Sequence, residues 1–419
     1  MDDKLVIEGG HSLQGSVSIS GAKNAALPIL VASLLAPEAK LTNIPNINDV
    51  NVLIEIIRNL NVKIDFKSPS LAVDSRNMRL ISEDESDICS KIRYSLLLTP
   101  ILASRFGGGF LPYPGGCSIG NRPIDQHLKM FKNFGIQVFC GKKGFRFKTA
   151  GLKPCDHTFD ISSVGATENA LICAALTKGT STLRVCSIEP EVQDLERFLV
   201  KLGVKIDGIG QTTKVITSTG AFTQKISYRI ISDRIEAATY ILAGLITNSE
   251  IEIQNVRKAD LKPFLDSLDS LGVEVDGKRN QLKVKPSKAK PDCAIHTEVW
   301  PGFPTDVQPL MTAWLCFQKG NFTITDKIFP DRFYHVKELR KMNAKIRRVK
   351  NKVVIQNLEK PNLSGSHVVA FDLRTGASVL LAALGVKGKT SISNTYQIHR
   401  GYENLVEKLT KLGAKIKVA

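Results

Sequence analysis

Six times along the chain an amphipathic stretch ends on a glycine or asparagine and passes into an alternating stretch. The segments read LIEIIRNLNVKIDF, LKMFKNFGIQVFC, LERFLVKLGVKIDG, FLDSLDSLGVEVDG, VKELRKMNAKIRRV and LVEKLTKLGAKIKVA. Apolar residues at helical spacing, such as Leu195, Phe198, Leu199 and Leu202, predict a helix with one buried face, and the alternation that follows predicts a strand. The residues at the junction are Asn61, Gly135, Gly203, Gly272, Asn343 and Gly413. Both residue types tolerate the left-handed conformation that ends a helix. Their separations of 74, 68, 69, 71 and 70 make a repeat of about one sixth of the 419 residues, too regular for chance.

Between these segments lies a second helical pattern, apolar almost all round: KNAALPILVASLLA, IRYSLLLTPILASRF, VGATENALICAALTKG, DRIEAATYILAGLI, PTDVQPLMTAWLCF and RTGASVLLAALGV. Such helices are buried. Their expected N-termini carry Lys23 and Asn24, Arg93, Val164 and Gly165, Asp233 and Arg234, Asp306, and Arg374, one position in the repeat recurring six times. If the repeats stack in parallel, these termini share a side, and their unpaired N–H groups favour anions.

Composition adds limits. The chain has 57 basic and 40 acidic residues, a net charge of +17, with lysines spread along polar helix faces and only 6% aromatics. Nucleic-acid binders cluster or interleave such groups, so small, highly charged anions are the expected ligands and nucleic acid is not. The longest apolar run, ALPILVASLLAP, is too short to span a bilayer, and MDDKL lacks the basic start of a secretory signal. A cytoplasmic protein is expected, with no membrane partner and no obligate protein partner. The eight cysteines show no C-x-x-C and no nearby histidine pair, so no metal site or disulfide framework is indicated.

One cysteine stands apart. PGGCSIGNRP places Cys117 among Gly115, Gly116 and Gly120, between Pro114 and Pro123, with Arg122 close behind. Glycines let such a segment move and prolines limit where it bends. A neighbouring cation lowers a thiol's proton affinity and favours the thiolate.

The motifs ISGAKNAALPIL, PGGCSIGNRPID, SVGATEN, GFPTDVQP, FDLRTGAS and HRGYE, in this order over almost the whole chain, resemble the UDP-N-acetylglucosamine 1-carboxyvinyltransferases. These enolpyruvyl transferases commit bacteria to peptidoglycan synthesis. The resemblance implies an α/β (α+β) fold of two inside-out α/β barrels, each with three β-α-β-α-β-β units. It divides the chain into 22–231, with the cysteine loop, and 1–21 plus 232–419, with hinges near 21 and 231 and the site in a cleft between. The implied reaction moves the enolpyruvyl group of phosphoenolpyruvate to the 3-hydroxyl of UDP-N-acetylglucosamine and releases phosphate, without cofactor or metal. Being an addition followed by an elimination, it needs an acid and a base on opposite sides of the reacting centre.

By that resemblance Cys117 is the proton donor and the target of the epoxide fosfomycin. Asp306 is the base, although Pro-Thr-Asp before an apolar helix also reads as a helix cap. Lys23, Arg122 and Arg400 form the phosphoenolpyruvate clamp, and Asn24 orients substrate. Contacts to the UDP-sugar fall to Arg93, to Arg122, Pro123, Ile124, Asp125 and Gln126, to Ile161, Ser162, Ser163 and Val164, and to Asp306 and Ile328. Asp372 and Arg374 match a contact between the domains, to the cysteine loop and the clamp. Ile161 stands where some family members carry lysine, which shifts weight onto the backbone N–H groups of Ser163, Val164 and Gly165. His127 reads as a helix-face histidine rather than a ligand contact. The shikimate-pathway enolpyruvyl transferases share the fold without the cysteine loop. A Cys117 hydrolase would need a partner histidine that no motif supplies, and a nucleic-acid binder would bind with a steep salt dependence.

Overall fold

The computed structural model describes residues 4–115, 123–359 and 361–419. All six junction residues have positive φ: 59° at Asn61, 84° at Gly135, 97° at Gly203, 77° at Gly272, 66° at Asn343 and 103° at Gly413. Each follows a helix (Asn48–Asn59, Asp125–Asn133, Pro190–Lys201, Lys262–Ser270, Tyr334–Lys341 and Leu405–Lys411) and precedes a strand. The two asparagines use their side chains where glycine has none. Asn61 Nδ2 donates to the Asn77 carbonyl at 2.9 Å and Asn343 Nδ2 to that of Asn362 at 2.8 Å.

The apolar helices are Lys23–Ala32, Leu98–Phe106, Val164–Leu176, Arg234–Ile246, Gln308–Leu315 and Leu373–Gly385. Most of their residues are buried, and the departure is the end of Leu98–Phe106, where Ser104, Arg105 and Phe106 are exposed. Two starts differ from expectation. Arg93 opens a 3-10 helix, Arg93–Leu97, that precedes Leu98–Phe106, and Asp306 lies ahead of Gln308–Leu315.

The chain divides into two compact units, one of residues 4–20 and 232–419, the other of 21–115 and 123–231. Each has its own apolar core beneath three sheets. In the first, Leu5–Gly9 lies antiparallel between Gly388–Ser393 and Lys415–Val418, while Gly15–Ser18 runs parallel to Ile251–Gln254. The N-terminal strands thus pair with partners more than two hundred residues away. Among the described residues, five of the six sheets have four strands, with one parallel pair each. The sixth, in the second unit, has three: Gly108–Pro112, Gly144–Lys148 and Gln137–Cys140. Beside its Gly108–Pro112 edge the stretch SDICSK forms a 3-10 turn, Ser86–Lys91. Asp is a poor strand former, and Gly115 N–H donates to the Ser90 carbonyl at 2.9 Å.

Glycine is required at position 21. A Cβ there would lie 1.6 Å from the Asn43 carbonyl oxygen. Asn43 Nδ2 in turn donates to the Ile230 carbonyl at 2.9 Å, and Ala22 N–H donates to that of Ile231 at 2.8 Å. The chain just before the first apolar helix is therefore fixed against the chain at 230–231. Among the described residues no helix is long and apolar enough to cross a membrane.

Candidate functional site

Each unit buries charged side chains, and in each one such cluster includes residues that the sequence singled out. In the unit of residues 21–115 and 123–231, Lys23 opens its helix, is 8% exposed, and places Nζ 2.6 Å from Asp49 Oδ2. Asp49 stands in the first turn of Asn48–Asn59 and is itself buried. Nothing in the sequence pairs the two, since an acidic residue in a first helical turn is ordinary. Asn24 Oδ1 accepts from Tyr94 Oη at 3.5 Å, and Arg93 Nη2 donates to the Pro123 carbonyl at 3.0 Å.

Pro123 and Ile124 lead into Asp125–Asn133. Gln126 is buried and joins that helix to the segment before Val164–Leu176. Its Nε2 donates to Asp125 Oδ2 at 2.9 Å and to Asp160 Oδ2 at 3.0 Å, and its Oε1 accepts from Asp160 N–H at 3.0 Å. Lys129 also pairs with Asp160. Ile161 projects outward, 64% exposed. Ser162 Oγ donates to Ser187 Oγ at 3.2 Å. Ser163 is the N-cap residue, its carbonyl accepting from Thr167 N–H at 2.9 Å, so Val164 begins the helix as the repeat implies. His127 is buried, with its Nδ1 2.9 Å from Asn169 Nδ2 and its ring packed on Gly165.

One residue here escaped sequence reasoning. Glu168 is fully buried and neither carboxyl oxygen has a hydrogen-bond partner. Burial, then the neighbouring Glu191 and Glu189, push its proton affinity well above the ordinary value. Such surroundings favour the protonated carboxyl.

In the other unit, Asp306 is clasped between two arginines. Its Oδ1 lies 2.6 Å from Arg332 Nη1 and its Oδ2 accepts from Arg374 Nη2 at 2.9 Å. Both guanidinium groups are buried. Burial alone would raise the Asp306 carboxyl, but Arg374 and Arg332 outweigh it and hold the group well below the usual carboxylate range. The helix-cap reading of Asp306 does not hold. Val307 is the N-cap of Gln308–Leu315 and no side chain caps it. The caps among these acids are Asp233 and Asp372. Asp372 Oδ1 accepts from the N–H groups of Arg374 at 2.9 Å and Thr375 at 3.0 Å, while its Oδ2 accepts from Thr375 Oγ1 at 2.7 Å.

The loop carrying Asp306 is shaped by Asp326. This buried carboxylate accepts from Thr297 Oγ1 at 2.8 Å, Thr305 Oγ1 at 2.7 Å, Ile328 N–H at 2.9 Å and Phe329 N–H at 2.8 Å. Ile328 is thereby set beside the loop, half-buried. Arg374 is held from behind. Thr239 Oγ1 donates to the Ile235 carbonyl at 2.8 Å, so it accepts from Tyr402 Oη at 2.9 Å, and the phenol oxygen accepts from Arg374 Nη1 at 3.0 Å. Arg400 is 7% exposed and donates through Nη1 to Gln397 Oε1 at 3.2 Å. Arg332 and Tyr402 were missed. RGYE offered a signal for the tyrosine, whereas DRF is an unremarkable surface pattern.

Cys117 and Arg122 lie outside the described residues. Of the seven described cysteines, Cys89, Cys173, Cys186 and Cys316 are buried, and burial pushes the thiols of Cys89, Cys186 and Cys316 up to about 12. Such thiols are inert at neutral pH.

Comparison with known proteins shows the family of the chain. Residues 7–409 match the family model described as EPSP synthase (3-phosphoshikimate 1-carboxyvinyltransferase). The UDP-N-acetylglucosamine 1-carboxyvinyltransferase of Geotalea daltonii is 38% identical over 99% of each chain. UDP-N-acetylglucosamine 1-carboxyvinyltransferase 1 of Staphylococcus aureus strain N315 is 37% identical, again over 99% of each. Among solved structures, the enolpyruvyl transferase NikO from Streptomyces tendae superposes with a TM-score of 0.90 at 28% identity, covering 100% of this chain and 99% of its own. EPSP synthase from Acinetobacter baumannii superposes with a TM-score of 0.77 at 17% identity, covering 100% of both chains, a likeness of fold alone.

Proposed function

Because the chain belongs to the EPSP synthase family of enolpyruvyl transferases, we propose that it transfers the enolpyruvyl group of phosphoenolpyruvate to the 3-hydroxyl of UDP-N-acetylglucosamine, releasing phosphate. The reaction is the committing step of peptidoglycan synthesis and takes place in the cytoplasm. The observation that carries this reading is full-length similarity to relatives named for that sugar nucleotide. The shikimate-phosphate reading has the description of the family model, but its likeness to a solved EPSP synthase, at 17% identity, is one of fold.

In this mechanism Asp306 removes the proton of the sugar 3-hydroxyl. Its two arginines keep it ionised at neutral pH, which a base requires, and also make it a weak base at rest. Phosphoenolpyruvate brings a phosphate and a carboxylate, and either anion competes with Asp306 for the N–H groups of Arg374 and Arg332. As that pull slackens, Asp306 gains proton affinity at the moment the hydroxyl must lose its proton. Lys23, Arg122 and Arg400 neutralise the phosphoenolpyruvate. Charge-assisted hydrogen bonds of this kind are the strong ones. Cys117 delivers a proton to the methylene carbon as the sugar oxygen bonds to the neighbouring carbon; in the elimination a proton leaves the resulting methyl group to a base as the C–O bond to phosphate breaks and the double bond re-forms. Arg93, the segment 122–126, residues 161–164 and Ile328 hold the UDP-sugar. With Ile161 in place of a cation, the N–H groups at the start of Val164–Leu176 bear more of the diphosphate charge.

Phosphate release from phosphoenolpyruvate, followed with and without UDP-N-acetylglucosamine, tests the reading. Release should require the sugar nucleotide. Release independent of it, or release driven by shikimate 3-phosphate instead, overturns the assignment.

A further inference from the structure

A second buried cluster lies behind the Asp306 site, in the same unit, and the mechanism above does not use it. Glu236, in the first turn of Arg234–Ile246, is 3% exposed. Its Oε2 accepts from Ser20 N–H at 2.8 Å and its Oε1 from Lys408 Nζ at 2.6 Å. Lys408 Nζ also donates to Ser20 Oγ at 2.7 Å, and Ser20 Oγ donates to Glu403 Oε2 at 2.6 Å. The short segment 400–408 is therefore used from two sides. Arg400 and Tyr402 serve the site, Tyr402 by holding Arg374, while Glu403 and Lys408 anchor the segment to Ser20 and Glu236.

We propose that Glu236 is a positioning residue for the transfer reaction: its carboxylate, by tying Lys408 and Ser20 together, holds the segment 400–408 so that Arg400 and Tyr402 stand in register with Arg374. This rests on the transfer reaction proposed above. Both oxygens of Glu236 must accept at once, one from the Ser20 amide and one from the Lys408 ammonium. Only the ionised carboxylate does this without cost. A protonated carboxyl, like an amide, has one good acceptor, and its second group is a donor that faces the ammonium.

The charge state is set locally. Burial raises the Glu236 carboxyl to about 7, with Lys408 opposing the rise and Asp233 adding to it. Tyr240, one turn on, and Tyr402 are neutral phenols at this pH, their own proton affinities raised by burial. Arg374 faces Asp233 from the helix packed alongside. From the other side, Ile251 and Ile253 of the neighbouring strand are buried apolar residues. Glu236 thus changes charge near neutrality, and the consequences for folding and for turnover have opposite signs. Its folded value lies above the unfolded 4.5, so its contribution to folding stability is fullest below 4.5 and is lost as pH rises through about 7. The ordered segment 400–408, by contrast, needs the charge that appears over that interval.

Glu236→Gln separates the two. kcat/KM and thermal unfolding are measured from about pH 5.5 to about pH 9, together with amide hydrogen exchange of residues 400–408 corrected for its intrinsic pH dependence. In the wild type, kcat/KM and exchange protection should both rise through about 7. In Glu236→Gln both should be flat at the lower level, about tenfold down in rate at high pH, while the melting midpoint at high pH exceeds that of the wild type. Lys408→Met should move the wild-type inflection to higher pH, because Lys408 is what holds Glu236 down. An inflection that persists unmoved in Glu236→Gln, or full wild-type rate in that variant at high pH, overturns the proposal. If the wild type itself transfers nothing, the functional reading fails. The exchange arm then decides on Glu236 alone, and protection that does not change with pH in the wild type overturns it.

Discussion

The two charged clusters solve opposite problems. Around Lys23 a buried cation meets a buried carboxylate, Asp49, at 2.6 Å. Around Asp306 a single carboxylate meets two guanidinium groups. The first arrangement pairs one charge with one opposite charge, whereas in the second one carboxylate is shared between two guanidinium groups. A neutral buried pair is a structural unit whose loss is felt in folding. A carboxylate shared by two guanidinium groups is poised to change its proton affinity when an anion competes for them. The difference suggests that substitutions in the two clusters will separate rate from stability in different proportions.

The largest effect is expected at the carboxylate. Asp306→Asn should bind UDP-N-acetylglucosamine by calorimetry yet lose about 10²–10⁴-fold in turnover, because the amide accepts a hydrogen bond but no proton. Near-normal turnover would reduce Asp306 to an anchor for Arg332 and Arg374. Next come the clamp residues. Arg400→Ala and Lys23→Ala should each lose about one to two decades of kcat/KM, the value of one charge-assisted hydrogen bond in the transition state. Lys23→Ala should in addition lose about 3 kcal/mol of stability in denaturant unfolding, since it strips a buried carboxylate of its ion pair. If Lys23→Ala unfolds like the wild type, the contrast between the clusters collapses.

The smallest effect is expected at Glu168. Its raised proton affinity means that the wild type loses stability as pH rises above the unfolded value toward the folded one. Glu168→Gln should leave turnover near normal and remove that loss, so that its melting midpoint exceeds the wild type's by a few degrees at most at pH 8 and less at pH 6. A midpoint that falls at both values would mean that Glu168 is held as an anion by groups in the folded protein.

Local physics made the repeat legible. A helix must end, and the six residues that end these helices are those that accept positive φ; Asn61 and Asn343 differ from the glycines only in the carbonyl each side chain finds. Burial of the second helix in each repeat follows from its lack of a polar face. Lys23 and Val164 were placed at helix starts for the same reason. Where the local signal was weaker, the placement drifted: Arg93 begins a 3-10 helix, and Asp306 sits two residues before its helix without capping it.

What the chain's own pattern determined, then, is the sixfold repeat, the buried helices and the polar residues that open them, because each depends on side chains within a few positions of one another. The resemblance of its motifs added the chemistry. What only the tertiary structure decided is which charges face each other. Asp306 meets Arg374 across 68 positions, Tyr402 meets Thr239 across 163, and Glu236 meets Lys408 across 172. An ion pair leaves no periodicity in sequence, and its partners are brought within reach by sheets and helices packing elsewhere. The proton affinities that set this chemistry come from burial and from those distant partners, so they exist only in the folded chain.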